Sequence, residues 1–343
     1  MDAQSTQKFT ASKSDDYGLV YNLPITMLDI EIEAEHVVKK PGEFYKYAKK
    51  YLNIDDPIIE TEESWTVTRI VVARHGIPDP EQQYLMQFKG GSVPFIIMDD
   101  ANLPLAINTE ELPLWEEPQW LEAVSAKPTP LETDAAHHVF SQEMLQSQSS
   151  AKRAELAAQQ IYALRQSRTD LITGQADQMP PDGEAMQIVM DNIAAQEEAL
   201  MAMFIGTVQK ETMVKRFSYK PGDDVVNHVI ARLSAIDGIV PADDLSGDPV
   251  YLTLSVVERG KMPINEKTGQ VKDFPKNGVA YCIPGRARVK ISYGGEVFHE
   301  SVFEAAQYGV VYGISPKLFT DKKAPAYMLF EPTTGALHEL GSK

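Results

Sequence analysis

Cysteine is almost missing. Cys282 is the only one in 343 residues, so no disulfide can close within the chain and no multi-cysteine metal or iron–sulfur site can be built. Its setting, AYCIPG, reads as strand, where a buried inert thiol is expected rather than a nucleophile. No apolar run approaches the ~20 residues that a membrane-crossing helix needs, so an integral membrane protein is not expected. Basic residues are scarce: 32 Lys and Arg stand against 49 Asp and Glu, a formal charge of −17, with no dense basic run to offset it. A phosphate backbone would be repelled, which argues against nucleic acid as a partner. The patterns GxSxG, GxGxxG and GxxxxGK[ST] do not occur, so no α/β-hydrolase elbow, dinucleotide fold or P-loop is signalled.

What is present is an ordinary globular composition, 43% hydrophobic and 24% charged, in a chain long enough for two cored domains. The opening MDAQSTQKFTASKSDD lacks the basic and apolar regions of a signal peptide. It reads instead as the polar start of a mature secreted chain, with Ala3-Gln4 as the remnant of a cleavage site, and residues 1–17 are expected to be a flexible leader.

The chain is organised around its middle. Ala154, Ala157, Ile161, Leu164 and Leu171 recur at helical spacing, with Arg153, Arg165 and Arg168 largely on other faces. Gly174 then suits the left-handed conformation that closes a helix, Pro180 and Pro181 forbid continuation, and Asp182 is a good cap for a second helix. There Met186, Val189, Met190, Ile193, Leu200 and Phe204 form the next stripe, up to Gly206. Two such stripes joined by a short loop are expected to pack antiparallel. The methionine-rich stripe, with Met201 and Met203, reads first as core. Its second reading is an adaptable interaction face centred on Met186, Met190, Met201 and Phe204.

On either side the pattern turns to strands. An alternating run Leu28, Ile30, Ile32 leads to Lys40-Pro41-Gly42 and a helical face Phe44, Tyr47, Ala48, Tyr51, Leu52. The strand WTVTRIVVAR follows, broken at Arg74-His75-Gly76 and Pro78-Asp79-Pro80, and PFIIMDDANLPLAIN reads as a hairpin around Asp99–Asn102. Residues 109–140 hold four prolines with Trp115 and Trp120 between them, an irregular connection pinned by aromatics. After a strand from Val208 to Tyr219, Lys220-Pro221-Gly222 turns into an expected helix with Val225, Val226, Val229, Ile230 and Leu233 on one face, then an acidic loop and the strand VYLTLSVVER. The order repeats that of residues 40–76, and AYMLFEPTTGALHEL repeats the earlier hairpin. GVAYCIPGRARVKI echoes GLVYNLPITMLDIEI. An internal duplication of residues ~28–108 and ~207–340 follows as an expectation. The expected fold is α+β: two related units of strand, helix and strands with an antiparallel helical hairpin between them. The units span 18–140 and 207–343, the hairpin 141–206, and the second unit carries an insertion near 261–308.

GLVYNLP, IYALRQSRTDLITGQADQMPPDGEAM, DDLSGDPVYL and GVAYCIPGRARVKI together resemble an uncharacterised family of Bacteroidetes proteins, a domain of unknown function, over nearly the whole chain. The resemblance implies export to the cell envelope and transfers no activity, cofactor or catalytic residue.

Other constellations point elsewhere than chemistry. His137 and His138 near Glu132 and Asp134 lack metal-ligand spacing, and Asp243, Asp244, Ser246 and Asp248 do not follow an EF-hand loop. Ser149-Ser150-Ala151-Lys152 with Lys267-Thr268-Gly269 superficially resembles the penicillin-recognising serine enzymes. Here KTG reads as a turn, and Ser149 or Ser150 as a helix cap. No catalytic, cofactor-binding or metal residue is assigned. The expected function is a non-enzymatic, exported envelope protein acting through an envelope protein partner. The alternative is a glycan- or peptide-binding protein or hydrolase with its site between the two units, where Trp65, Trp115 and Trp120 could stack on sugar rings.

Overall fold

The computed structural model describes residues 4–8, 19–88, 95–112, 118–181, 183–276, 278–319 and 324–342. It is a mixed α and β fold in which two sheets face each other across one core. Strands β1 (Gln4–Lys8), β2 (Leu19–Lys40), β3 (Glu62–Phe88) and β6 (Thr207–Tyr219) form the first sheet in the order β1-β3-β2-β6. The second contains β4 (Ile96–Met98), β5 (Pro104–Ile107), β7 (Val225–Ser234), β8 (Gly238–Pro241), β9 (Gly247–Glu258), β10 (Val279–Tyr293), β11 (Glu296–Ile314), β12 (Ala326–Glu331) and β13 (Ala336–Ser342). Its order is β4-β5-β12-β13-β10-β9-β7-β8, with β11 on β10.

Alternation explains the packing. Leu28, Ile30, Ile32 and Ala34 of β2 turn inward and are fully buried. They meet Leu252 and Leu254 of β9, Val289 and Ile291 of β10 and Phe303 of β11 in a single cluster. The residues between them, Asp29, Glu31, Glu33 and Glu35, therefore lie on the outer face, as a two-residue period demands. The two ends of the chain share both sheets: β6 pairs with β2, and β5 with β12.

Two long hairpins carry the same irregularity. Along β2/β3 the pairing steps from Asn22↔Gln83 to Pro24↔Pro78, and along β10/β11 from Ile283↔Val310 to Gly285↔Ala305. Each time the first strand advances two residues while the second advances five, leaving a wide bulge beside the Pro of NLP or CIP. The surroundings match as well. Asn22 N–H donates to Asn102 O, and Cys282 N–H to Gly335 O. Asn22 Nδ2 donates to Asp79 O at 2.8 Å, where Cys282 Sγ approaches Ala306 O at 3.7 Å.

Two expectations are corrected, and a third, the helix after Gly42, stands in shorter form. Residues 225–233 are strand β7, not a helix. The apolar spacing looked helical because Asn227 sits at φ 55° in a register shift, so one extra residue resets the strand alternation. Strand β3 runs unbroken through Arg74–Pro80. Its prolines are tolerated because, among the described residues, the side away from β2 acquires a partner strand only at Tyr84, where β1 pairs. The helix after Gly42 is one 3₁₀ turn and the five-residue α1 (Ala48–Leu52).

Helices α2 (Asp134–His138), α3 (Gln142–Gln146), α4 (Ser150–Thr173) and α5 (Gly183–Ile205) fill the middle. Ser149 caps α4 by accepting the Lys152 N–H, and Gly174 ends it at φ 72°. Asp182 and Trp115 lie outside the described residues, as does most of the leader. A separate buried cluster joins Phe44, Ala48, Met144, Ala154, Ala157, Ile161, Leu200, Met203 and Phe204. Gly42 makes this junction possible: a Cβ there would stand 2.2 Å from Met203 O, while Phe44 N–H donates to that same oxygen.

Candidate functional site

Helices α4 and α5 are held at one end only. The buried cluster that seats them against the 42–48 turn, α1 and α3 stops at Ile161 and resumes at Leu200. From Gly183 to Gln196 no described side chain of α5 is buried, and on α4 beyond Ile161 only Leu171 is. At ~1.5 Å per residue that leaves an arm about 20 Å long. Its root is clamped by charge. The nearly buried Glu197 carboxylate meets Arg165 Nε at 2.6 Å and Arg168 at 3.1 Å. The Arg168 contact lies off the N–H axis, since Glu197 Oε2 has no aligned donor, so it counts as charge attraction rather than as a hydrogen bond. Arg165 and Arg168 thus face α5 instead of other faces.

The four residues of the expected interaction face separate along this arm. Phe204 is fully buried against Phe44, ring centroids 5.5 Å apart. Met201 packs on the same cluster, with its sulfur 3.6 Å from Arg165. Met186 and Met190 lie on the free part and are half-buried. Beside them Ile172, Met179, Ile188 and Val189 are exposed, by 69%, 46%, 56% and 37%. Residues 169–209 contain seven Asp and Glu and no Lys, Arg or His. The free end therefore exposes several apolar side chains among acidic and amide ones and carries no cation.

A second feature lies on the outer face of the first sheet. A cleft of about 1330 Å³ opens between β2 and β3, the turn at Asp99, the turn at Pro332 and the strap Pro118–Trp120. Asp29 accepts the Ser218 hydroxyl at 2.6 Å, and its other oxygen stands 2.7 Å from His75 Nδ1. That contact is also poorly aligned, because His75 Nδ1 is buried without a proper acceptor. Glu31, 4% exposed, binds Arg216 by two bonds of 3.0 and 2.8 Å and accepts the Leu121 N–H at 2.7 Å. The Arg216 guanidinium in turn lies 3.7 Å over the Trp120 ring. Val124 completes the fastening by exchanging two hydrogen bonds with Thr212. Prolines and tryptophan in this connection hinted at pinning; the pair that does it, buried Glu31 with the more exposed Arg216, spans 185 positions and left no sequence signal.

The chain matches, over residues 17–338, the family described as a domain of unknown function, DUF4831. It belongs to that family. No curated protein and no solved structure matches the DUF4831 chain.

The remaining candidates of this DUF4831 protein fall in structural places. Cys282 is 3% exposed, and burial, with Glu304 nearby, pushes its thiol up to about 12. His137 and His138 are exposed at the end of α2. Asp244 caps its own turn at Ser246, and those hydrogen bonds hold its carboxyl below the usual range. Lys267-Thr268-Gly269 is a turn closed on Asn265. Trp65 stacks on His36 at 4.2 Å, and His36 meets Glu211 and Glu63 at 2.8 Å through its two nitrogens. Among the described residues, no helix is long and apolar enough to cross a membrane.

Proposed function

We propose that this DUF4831 protein is a non-enzymatic, exported protein of the cell envelope that binds another protein through the free end of its helical arm. The observation that carries the reading is the exposed row Ile172, Met179, Ile188 and Val189 on helices with no cation from 169 to 209. Apolar surface in contiguous patches with a polar rim marks interaction sites. The acidic side chains among them select the partner chemistry: an amphipathic helix whose apolar stripe is flanked by Lys and Arg. The body is read as two related units, residues 18–140 and 207–343, around the helical hairpin. The matched hairpin irregularities support a duplication, now centred on 19–107 and 279–342.

The test uses purified full-length protein and two labelled twenty-residue amphipathic helical peptides, one rimmed with Lys and one with Glu. Fluorescence anisotropy should show binding of the basic peptide alone. Ile188→Gln with Val189→Gln leaves the charge unchanged and should weaken that binding about tenfold, consistent with loss of a small apolar anchor. Equal binding by this variant would reduce the effect to bulk attraction by a chain of charge −17 and end the docking reading. Fractionation of native cells tests export, which a purely cytoplasmic pool would contradict.

A further inference from the structure

We infer that the cleft beneath the Pro118–Trp120 strap binds a neutral oligosaccharide, with Trp120 as its stacking platform. This inference is independent of the arm. It starts from how Trp120 is held. A surface tryptophan normally turns freely, yet this ring is fixed by a guanidinium at 3.7 Å that is itself fixed by the buried Glu31. Glu31 and Arg216 satisfy each other without Trp120, so the stack adds ring orientation rather than charge balance. One face of the indole is covered by Arg216; the opposite face has no aromatic or cationic neighbour among the described residues. An electron-rich aromatic face attracts the weakly positive C–H bonds on the flat side of a pyranose.

The rest of the lining supplies both kinds of hydrogen-bonding group. Asp99 uses Oδ1 to cap its turn, and Glu331 uses Oε2 on Thr333 and Thr334, which leaves Oδ2 and Oε1 as acceptors. His75 Nε2 and the Gln119 amide have no partner among the described residues, and both line the cleft. Hydroxyl groups donate and accept, so they can satisfy either kind. An anionic ligand would face three carboxylates, Asp29, Asp99 and Glu331, against one lining arginine, Arg74. A peptide adding as a strand would need an unbroken row of backbone donors, and β3 lacks them at Pro78 and Pro80. The volume, about 1330 Å³, exceeds the ~300–1,000 Å³ of ordinary small-molecule sites, which fits several sugar rings in a row.

The experiment is calorimetric titration of the full-length protein with hexasaccharides of α-1,4-glucose, β-1,4-glucose, β-1,4-xylose, β-1,4-mannose and β-1,4-N-acetylglucosamine, followed by tryptophan fluorescence. At least one should bind and perturb the fluorescence, and Trp120→Ala should weaken it about tenfold or more. Trp120→Phe keeps a smaller ring and should lose less. Arg216→Ala, which frees the platform without touching the sugar, should lose affinity while broadening the tryptophan emission. Each variant is melted first; if Trp120→Ala does not fold, Trp120→Phe together with Gln119→Ala decides. Binding by none of the five sugars, or binding unchanged in the folded variants, overturns the inference.

Discussion

The two ends of the α4–α5 pair are made of the same residue types and meet opposite fates. At the root, Ile161, Leu200, Met203 and Phe204 are buried, because α1, α3 and the 42–48 turn cover them. At the free end, Ile172, Met179, Ile188 and Val189 continue comparable chemistry and stay exposed, with no described element laid over them. A hydrophobic stripe therefore does not itself declare core or interface. What separates the two is whether the chain elsewhere supplies a cover, and that depends on residues more than 100 positions away, such as Phe44.

The comparison can be broken from its strongest contact downward. Phe204→Ala should destabilise the protein by about 3–5 kcal/mol in urea unfolding, as for other buried aromatics. A cost near that of a surface change would mean the root is not core. Glu197→Ala removes the clamp between the two ends and leaves Arg165 and Arg168 unpaired. Because both arginines are 40% exposed, water softens the loss to about 1–2 kcal/mol. Hydrogen exchange should quicken across 183–196 more than at 200–204, and uniform quickening would deny that the arm is a separate unit.

Acidity separates body from arm in another way. Burial of His36 opposes its charge, but the hydrogen bonds it donates to Glu211 and Glu63 outweigh it and raise its pKa above the ordinary 6.5. A raised histidine contributes stability that is fully present below the unfolded value and is lost as pH rises through the folded one. Body stability should therefore fall as pH climbs above 6.5, and His36→Gln should flatten that slope. The arm has no histidine in 150–209, so its local exchange protection should not follow the same titration. The smallest effect belongs to Ile188→Gln, expected within about 0.5 kcal/mol of the parent, since exposed positions outside special contacts change stability little. A larger loss would show that Ile188 is packed after all.

Legibility in the sequence tracked the range of the interaction. The Gly174 helix end, the Ser149 cap and the Asp99–Asn102 turn depend on neighbours a few residues away, and all three stand where local chemistry puts them. The same local reasoning failed at Val225–Leu233, because a bulge at Asn227 alters the period that the reasoning relies on. It failed differently at Arg165 and Arg168. Spacing placed them off the apolar stripe, but long guanidinium side chains reach across to an acid on the next helix. The cleft was the least legible feature. Asp29, His75, Trp120, Glu331 and Pro332 come from four separate stretches and are brought together by the pairing of β2 with β3 and by two turns.

The sequence alone determined the alternation that buries Leu28, Ile30 and Ile32, the ends of α4, the inert setting of Cys282 and the absence of positive charge from residues 169–209, because each rests on residue type and short-range geometry. Tertiary structure decided that β6 joins β2, that Phe204 is covered while Ile188 is not, and that a buried Glu31 aims Trp120 into a cleft. Those outcomes turn on which distant surfaces meet, and the burial and charge pairing that reward such meetings exist only once the chain has closed on itself.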